Sequence, residues 1–182
     1  MKGRIWSASA TLLLALCATA SASDVATPAG AASGFYAVYG TFHPSDGIPD
    51  GPARARYQPY LSRSLEGLLA DADAAESRFT GKHKDSPPLI EGDLFSANFE
   101  GATTWTVRKC EASGSTARCT IDLTFDPRDA KQKQAKWSDS LYLVRDGGGW
   151  RVNDIAYGAS AAFGNKGRLS DTLKEAVIDA GL

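Results

Sequence analysis

Residues 117–125 decide the fold of this chain, and their sequence is Ala117-Arg118-Cys119-Thr120-Ile121-Asp122-Leu123-Thr124-Phe125. Apolar and small residues alternate strictly with polar ones along this run. Successive side chains of a β-strand point to opposite faces, so a period of two predicts a strand with one face in a core and one in water.

Three further segments are predicted to complete an antiparallel sheet of about four strands. Residues 103–110 are expected to pair with the first strand as a hairpin. Residues 137–145 and 150–157 are expected to form the last two strands, because the glycine-rich stretch between them is typical of a tight hairpin turn.

Helical periodicity marks the segments that flank the sheet. A short helix is predicted from about Ala31 to Phe42, followed by a loop over 43–53 because of its Gly and Pro content. A Leu-rich helix is expected to begin with Pro59 in its first turn. Ser170 is expected to cap a last helix that ends before Gly181.

This order of elements predicts an α+β fold. N-terminal helices precede the strands and a C-terminal helix follows them, so we expect the helices to pack on one face of a curved antiparallel sheet.

The first 22 residues have the layout of an export signal. Lys2 and Arg4 give a positive start, an apolar run follows, and small residues come next. Cleavage is expected after Ala22, with a site after Ala20 as the alternative. The apolar run is too short to span a bilayer.

Cys17 lies where a bacterial lipoprotein would carry its lipid-modified cysteine. Leu16, directly before it, is too large for the lipoprotein peptidase, so lipidation is not expected. The sequence therefore predicts a periplasmic or secreted protein.

The mature chain is predicted to be one domain. Residues 23–33 are small, with Gly and Pro, and are interpreted as a flexible lead-in to a single domain over 34–182. Removal of the signal leaves 18 of the 20 basic residues against 21 acidic ones, a net charge of −3. No basic patch suits phosphates and no further apolar stretch reaches membrane-spanning length, so neither a nucleic-acid partner nor a transmembrane segment is expected.

Cys110 and Cys119 are the two cysteines of the mature chain and are predicted to form a disulfide, because an exported protein folds in an oxidising compartment. Direct pairing of the two would put Arg108 opposite Ile121 and turn Trp105 and Val107 of the 103–110 strand to the other face. Either that face is also covered or a bulge shifts the register, and we expect a bulge near the cysteines. Val152 and Ile155 raise the same question, since residues three apart cannot share a face of a regular strand.

The closing hairpin over 141–155, after amino-terminal helices, resembles the last strands of the cone-shaped nuclear-transport-factor-2-like fold. Five short motifs are similar to the bacterial family called domain of unknown function 3828: residues 35–36, 60–62, 92–96, 99–101 and 150–155. The resemblance implies a small exported protein with that cone fold. It implies no established activity and no catalytic residues.

Three acids are candidates for a polar centre in a pocket of such a cone. Asp93 and Glu100 flank two phenylalanines between the helices and the sheet, and a buried carboxylate there could act as a base with a raised pKa. Asp154 could also point into the cone. The alternatives are that Asp93 caps a short turn, that Glu100 caps or pairs on the surface, and that Asp154 stabilises a bulge or pairs with an arginine.

No cofactor or metal is expected. His43 and His83 are the only histidines, and both fall in connectors rather than on a core-facing stripe. No Gly-x-Ser-x-Gly elbow occurs, and the glycines at 147–149 lack the Lys and helix of a phosphate loop.

Two hypotheses of function follow. The first is a non-catalytic binding or scaffolding module of the cell envelope that recognises a protein or cell-wall partner through the cone opening or a sheet face. An immunity or inhibitor role is a subtype that nothing in the sequence selects. The second is a small-ligand-binding protein or enzyme with Asp93, Glu100 or Asp154 at the centre of a pocket in the cone.

Overall fold

The structure is a computed structural model that describes residues 24–41, 47–128, 133–158 and 164–181. The expected signal peptide and its cleavage site, together with Phe42 and His43, lie outside these residues. Within them the chain is α+β, with four helices and a single sheet of four antiparallel strands. None of the described helices is long and apolar enough to span a membrane.

Helix α1 spans Pro28–Tyr39. It begins there because Thr27 accepts a hydrogen bond from the Gly30 amide through its side-chain oxygen, at 3.0 Å, and because proline is favoured in the first turn. The flexible lead-in expected over 23–33 is therefore wrong from Pro28 onward. Ala31 and Ala32 are fully buried, so these small residues are core positions rather than linker.

Helix α2 spans Gly51–Tyr57 and lies partly in the segment expected to be a loop. The side chain of Asp50 caps it by accepting from the Ala53 amide at 3.0 Å. Its Gly and Pro residues occupy the first turn, where they are tolerated, and the composition of the segment concealed the helix.

Helix α3 spans Arg63–Lys82 and begins later than Pro59. Pro59 lies in a short 3-10 turn, and Leu61 forms a bridge with Val152 of the sheet. The Ser62 side chain then caps α3 by accepting from the Leu65 amide at 3.1 Å. The contact with the sheet edge therefore fixes where the helix starts.

The sheet has the order β1-β2-β3-β4, with every neighbour antiparallel. The strands are β1 Thr104–Ser113, β2 Thr116–Phe125, β3 Ala135–Asp146 and β4 Gly149–Ala156. This confirms the four-stranded meander. We call inner face the side that packs against the core, and outer face the opposite side. The inner face carries the buried residues Ala117, Cys119, Ile121, Leu123, Trp137, Asp139, Leu141, Leu143, Trp150, Val152 and Ile155.

The expected bulge near the cysteines is confirmed. Cys110 pairs with Cys119, but the register then shifts, so that Val107 rather than Arg108 lies opposite Ile121. A second shift lies in the β3–β4 pairing between Tyr142 and Leu143. It allows Val152 and Ile155 to be buried together.

Helix α4 spans Leu169–Asp179 and packs beside α3 and β4. Gly181 follows its end with a positive φ of 74°, as expected for a residue just past a helix. Ser170 is not its cap, because the helix already begins at Leu169. Ser170 instead donates to the carboxylate of Asp154 on β4.

The Cys110–Cys119 disulfide is present, with the two Cα atoms 4.0 Å apart. It joins β1 to β2 next to the bulge. Replacing both cysteines by serine is expected to lower the free energy of unfolding by about 2.5–3 kcal/mol on the chain-entropy model for so short a loop. Urea denaturation with and without reductant measures this. The oxidised wild type should be destabilised by reductant and the double variant should not; equal midpoints for the wild type in both buffers would contradict the prediction.

Candidate functional site

Asp93 lies in the interior, in the segment that joins α3 to the sheet, and is only 1% exposed. One carboxylate oxygen accepts from the Phe95 amide at 2.7 Å and closes a short turn. The other accepts from the Tyr39 hydroxyl at 2.6 Å. The turn-capping alternative is therefore the one observed.

Tyr39 extends this contact to the start of the sheet. Its hydroxyl donates to Asp93 and accepts from the Ala102 amide at 2.7 Å, two residues before β1. One carboxylate and one phenol thus join α1, the 93–97 turn and the entry to β1.

A second interior carboxylate, Asp139 on β3, holds the same turn from the sheet side. It accepts from the Ala97 amide at 2.9 Å, the Gly158 amide at 2.7 Å and the Trp137 indole at 3.2 Å. Asp139 was not among the acids predicted from the sequence. It could have been recognised because it alternates with apolar residues of β3 that point into the core, where a carboxylate needs hydrogen-bond donors from the protein itself.

Burial raises the pKa of both carboxyls. The pKa of Asp93 rises to about 7, because removal from water disfavours the ionised form and its hydrogen bonds offset this only in part; Asp139 nearby adds repulsion. The pKa of Asp139 is also raised by burial. Asp93 can therefore hold or release a proton near neutral pH, the range that suits a general acid or base.

Aromatic rings surround this centre. Phe35, Tyr57 and Phe95 contact one another with ring centroids 4.9–5.2 Å apart. The hydroxyl of Tyr36 is buried among them without a hydrogen-bond partner in the described part of the chain. Burial, and then the charges of Asp139 and Asp93, raise the pKa of Tyr36, so its hydroxyl stays protonated.

Glu100 is not part of this centre. It is exposed at the corner of the turn in which Gly101 donates its amide to the Asn98 carbonyl at 2.9 Å. The Asp93 amide donates to the Phe99 carbonyl, so the two ends of the segment are adjacent, but the structure does not bring the side chains of Asp93 and Glu100 into one site. Glu100 lies after the turn and its side chain is exposed, whereas Asp93 lies before the turn and its side chain points into the interior.

Asp154 holds the start of α4. Its oxygens accept from the Ser170 amide and hydroxyl, both at 3.0 Å, and from the Arg168 guanidinium at 2.9 Å. The arginine-paired alternative is the one observed. Asp154 also borders a groove of about 440 Å³ between α3, β4 and α4.

The two helix ends at this groove are capped by the protein itself. The Arg63 amide donates to Asp146 at 2.8 Å, the Leu65 amide to Ser62 and the Ser170 amide to Asp154. These amides, which could otherwise attract an anion, are already satisfied.

The outer face of the sheet is a polar surface that no described helix covers. Arg118 on β2 lies opposite Tyr142 on β3, and Tyr142 lies opposite Asp154 on β4. Guanidinium carbons approach the Tyr142 ring from two residues: Arg168 at 4.3 Å and Arg118 at 5.9 Å from the centroid. Further along the same face is a depression of about 440 Å³, bordered by Thr106, Arg108, Asp122, Thr124, Lys136 and Ser138.

Charges on the outer face are unequally paired. Asp122 accepts from the Arg108 guanidinium at 2.6 Å and from the Ser138 hydroxyl at 2.7 Å. Arg118 is exposed and donates to the Ser140 hydroxyl at 3.2 Å and 2.8 Å. Within the described residues, neither Arg118 nor Lys136 has a carboxylate within 4.0 Å.

No metal site is assembled in the part of the chain that the structure describes, where no group of three or more His, Cys, Asp and Glu side chains converges. His83 ends α3, and its ring lies 4.8 Å from that of Phe79.

No protein-family model matches the chain, and searches of curated proteins and of solved structures found no similar protein. The resemblance to the nuclear-transport-factor-2-like fold and to domain of unknown function 3828 stays a prediction.

Asp93 makes stability depend on pH. Its pKa is about 7 in the folded protein, whereas an aspartate in an unfolded chain titrates near pH ~4. Between these values the native state holds a proton that the unfolded state lacks, so the free energy of unfolding should fall as the pH rises from about 4 to about 7. The raised pKa of Asp139 acts in the same direction.

Urea denaturation across this pH range tests the prediction. Asp93→Asn should flatten the fall, and Glu100→Gln, which changes an exposed acid of the same segment, should leave it unaltered. An undiminished fall in Asp93→Asn would show that another group titrates.

Asp154 should be worth more to stability than an ordinary surface acid. Asp154→Ala leaves the Ser170 amide and the Arg168 guanidinium without their acceptor and is expected to lower the free energy of unfolding by about 2 kcal/mol. Glu175→Ala, an exposed acid on α4, is the matched control and should change it by less than about 0.5 kcal/mol. Equal effects of the two substitutions would contradict the role assigned to Asp154.

Proposed function

We propose that this protein is a non-catalytic binding module that holds its partner on the outer face of the sheet. The observation that carries the proposal is the exposed Arg118, held beside Tyr142 on a face that no described helix covers. Among the described residues it has no carboxylate within 4.0 Å, because Glu111, which lies opposite it, is paired with Lys109. Arginine and tyrosine are the side chains that most often dominate binding energy at protein interfaces.

The contacts of the interior acids support a binding role over a catalytic one. Asp93 and Asp139 accept hydrogen bonds from the backbone of the turn between α3 and the sheet, and Asp154 holds the start of α4. A general base must reach a substrate proton within hydrogen-bonding distance. The carboxylate oxygens of these three residues are instead engaged by the protein's own donors.

The proposed setting is the bacterial cell envelope, with the protein periplasmic or secreted. The export-type order of residues 1–22 supports this, and the disulfide is compatible with an oxidising compartment. The proposed fold is the nuclear-transport-factor-2-like cone, supported by the resemblance of the closing hairpin and by an antiparallel meander that follows the helices. An envelope protein or a cell-wall component is the expected partner.

A second function, a small-ligand site in the interior, is favoured by one observation. The Tyr36 hydroxyl is fully buried near Asp93 and Asp139 and makes no hydrogen bond to the described residues. A buried hydroxyl without a partner is costly, so a polar ligand group at this position would be stabilised.

Capture of a partner from envelope extract separates the two functions. Tagged wild type, Arg118→Glu on the outer face, Tyr36→Phe in the interior and Lys174→Glu on α4 are compared. Lys174→Glu is the matched control, because it makes the same change of charge on another exposed surface. We expect the same partner with the wild type, Tyr36→Phe and Lys174→Glu, and its loss with Arg118→Glu.

Capture that is insensitive to Arg118→Glu would contradict the outer-face proposal. A small molecule that co-purifies with the wild type and is lost in Tyr36→Phe would instead support the interior site.

A further inference from the structure

We propose that the outer face binds an extended, acidic segment of a protein partner, with Arg118 and Lys136 each contacting one carboxylate of that segment. This rests on the proposed binding function and names the chemistry of its partner. The inference rests on three features of this face: the Arg118 guanidinium, the depression beside Lys136, and the row of small polar side chains between them.

Charge complementarity indicates an acidic partner. Arg108, Arg118, Lys136 and Arg168 lie on the outer face. The face also carries three carboxylates, those of Glu111, Asp122 and Asp154, and Glu111 lies opposite Arg118. Each of the three is within 4.0 Å of a cation other than Arg118 and Lys136, namely Lys109, Arg108 and Arg168. Arg118 and Lys136 therefore have no carboxylate within 4.0 Å among the described residues, on a chain whose formal net charge is −1.

Arg118 is arranged to receive a carboxylate. Two of its donors contact the Ser140 hydroxyl, which restrains the guanidinium beside the Tyr142 ring. A guanidinium has five N–H groups, so three remain, and a carboxylate needs two of them for a bidentate contact. Because the side chain is already restrained, less conformational entropy is lost on binding.

Spacing along β3 gives the register of the segment. Arg118 on β2 lies opposite Tyr142 on β3. Lys136 is also on β3, six residues before Tyr142 and on the same face. At about 3.3 Å per residue, the two charges are roughly 20 Å apart along the strand. An extended peptide parallel to β3 covers that distance in about six residues. Its two acidic side chains should therefore have about five residues between them, which also places both on the same face of the peptide.

The surface between the two charges suits a peptide better than a polyanion. It carries Thr120, Ser138 and Ser140 and the neutralised Arg108–Asp122 pair. The hydroxyls can exchange hydrogen bonds with the uncharged part of a peptide between two acidic side chains, whereas a nucleic acid carries a phosphate at every step, including those beside Asp122 and Asp154. Nucleic-acid binding also requires neutralisation of many successive phosphates, and only two cations are available here.

The test uses a defined probe and the oxidised mature protein. The probe is a twelve-residue peptide of Gly, Ser and Thr with blocked termini, and it carries two glutamates with five residues between them. Control peptides have both glutamates replaced by glutamine, or placed next to each other. Binding is followed by calorimetry and by the NMR shift of the Arg118 side-chain Nε–Hε group.

We expect the spaced diglutamate peptide to bind and to shift the Arg118 resonance, and the glutamine peptide to do neither. Arg118→Ala should weaken binding about tenfold, as for a bidentate charged contact. Arg118→Lys keeps the charge but loses the planar fork, and should recover only part of the affinity. Lys136→Ala should weaken binding independently, and Lys174→Ala should leave it unchanged.

Three outcomes would overturn the inference: equal binding of the diglutamate and glutamine peptides, equal binding of the spaced and adjacent diglutamate peptides, or tighter binding of a twelve-nucleotide oligothymidylate than of any peptide. Failure here is distinguishable from failure of the proposed function. If the peptide does not bind but capture of an envelope partner still depends on Arg118, the outer face is the binding surface and only its acidic partner is wrong.

Discussion

Two buried carboxylates hold the 93–97 turn between the helices and the sheet, and the rest of the interior is arranged around them. Asp93 fixes the turn to α1 through Tyr39, and Asp139 fixes it to β3 through the Ala97 amide. A buried carboxylate is stable only when donors surround it, so each of these residues constrains the backbone that supplies its donors. The turn can therefore take up few positions relative to the sheet.

The cost of this arrangement is the burial of two carboxyl groups in the core. Burial raises the pKa of both, and the charge of Asp139 adds to the rise for Asp93. The protonation of Asp93 links the stability of the turn to pH near neutrality. This makes the interior acids part of the architecture, and it explains why a raised pKa need not indicate a catalytic group.

The outer face has the opposite electrostatic character. Its carboxylates are paired with a lysine and with arginines, and among the described residues Arg118 and Lys136 have no carboxylate within 4.0 Å. The strict alternation along β2 produces this separation, because each residue that points into the core is followed by one that points to the outer face. Core and proposed binding surface are thus two sides of the same strands.

The sequence by itself determined the strands and the disulfide, and it favoured a bulge. A period of two needs only the strand geometry. Direct pairing of the cysteines left two possibilities, a sheet covered on both faces or a bulge, and the bulge is the one observed. What only the tertiary structure decided is which acids lie inside and what they hold. Asp93 and Glu100 are seven positions apart and both carry a carboxyl group, but the turn between them places one in the core and the other in water. The hydrogen-bond partners of Asp139 and Asp154 lie far from them in the sequence. The local sequence pattern cannot show which distant amides will be close to a carboxylate in the folded chain.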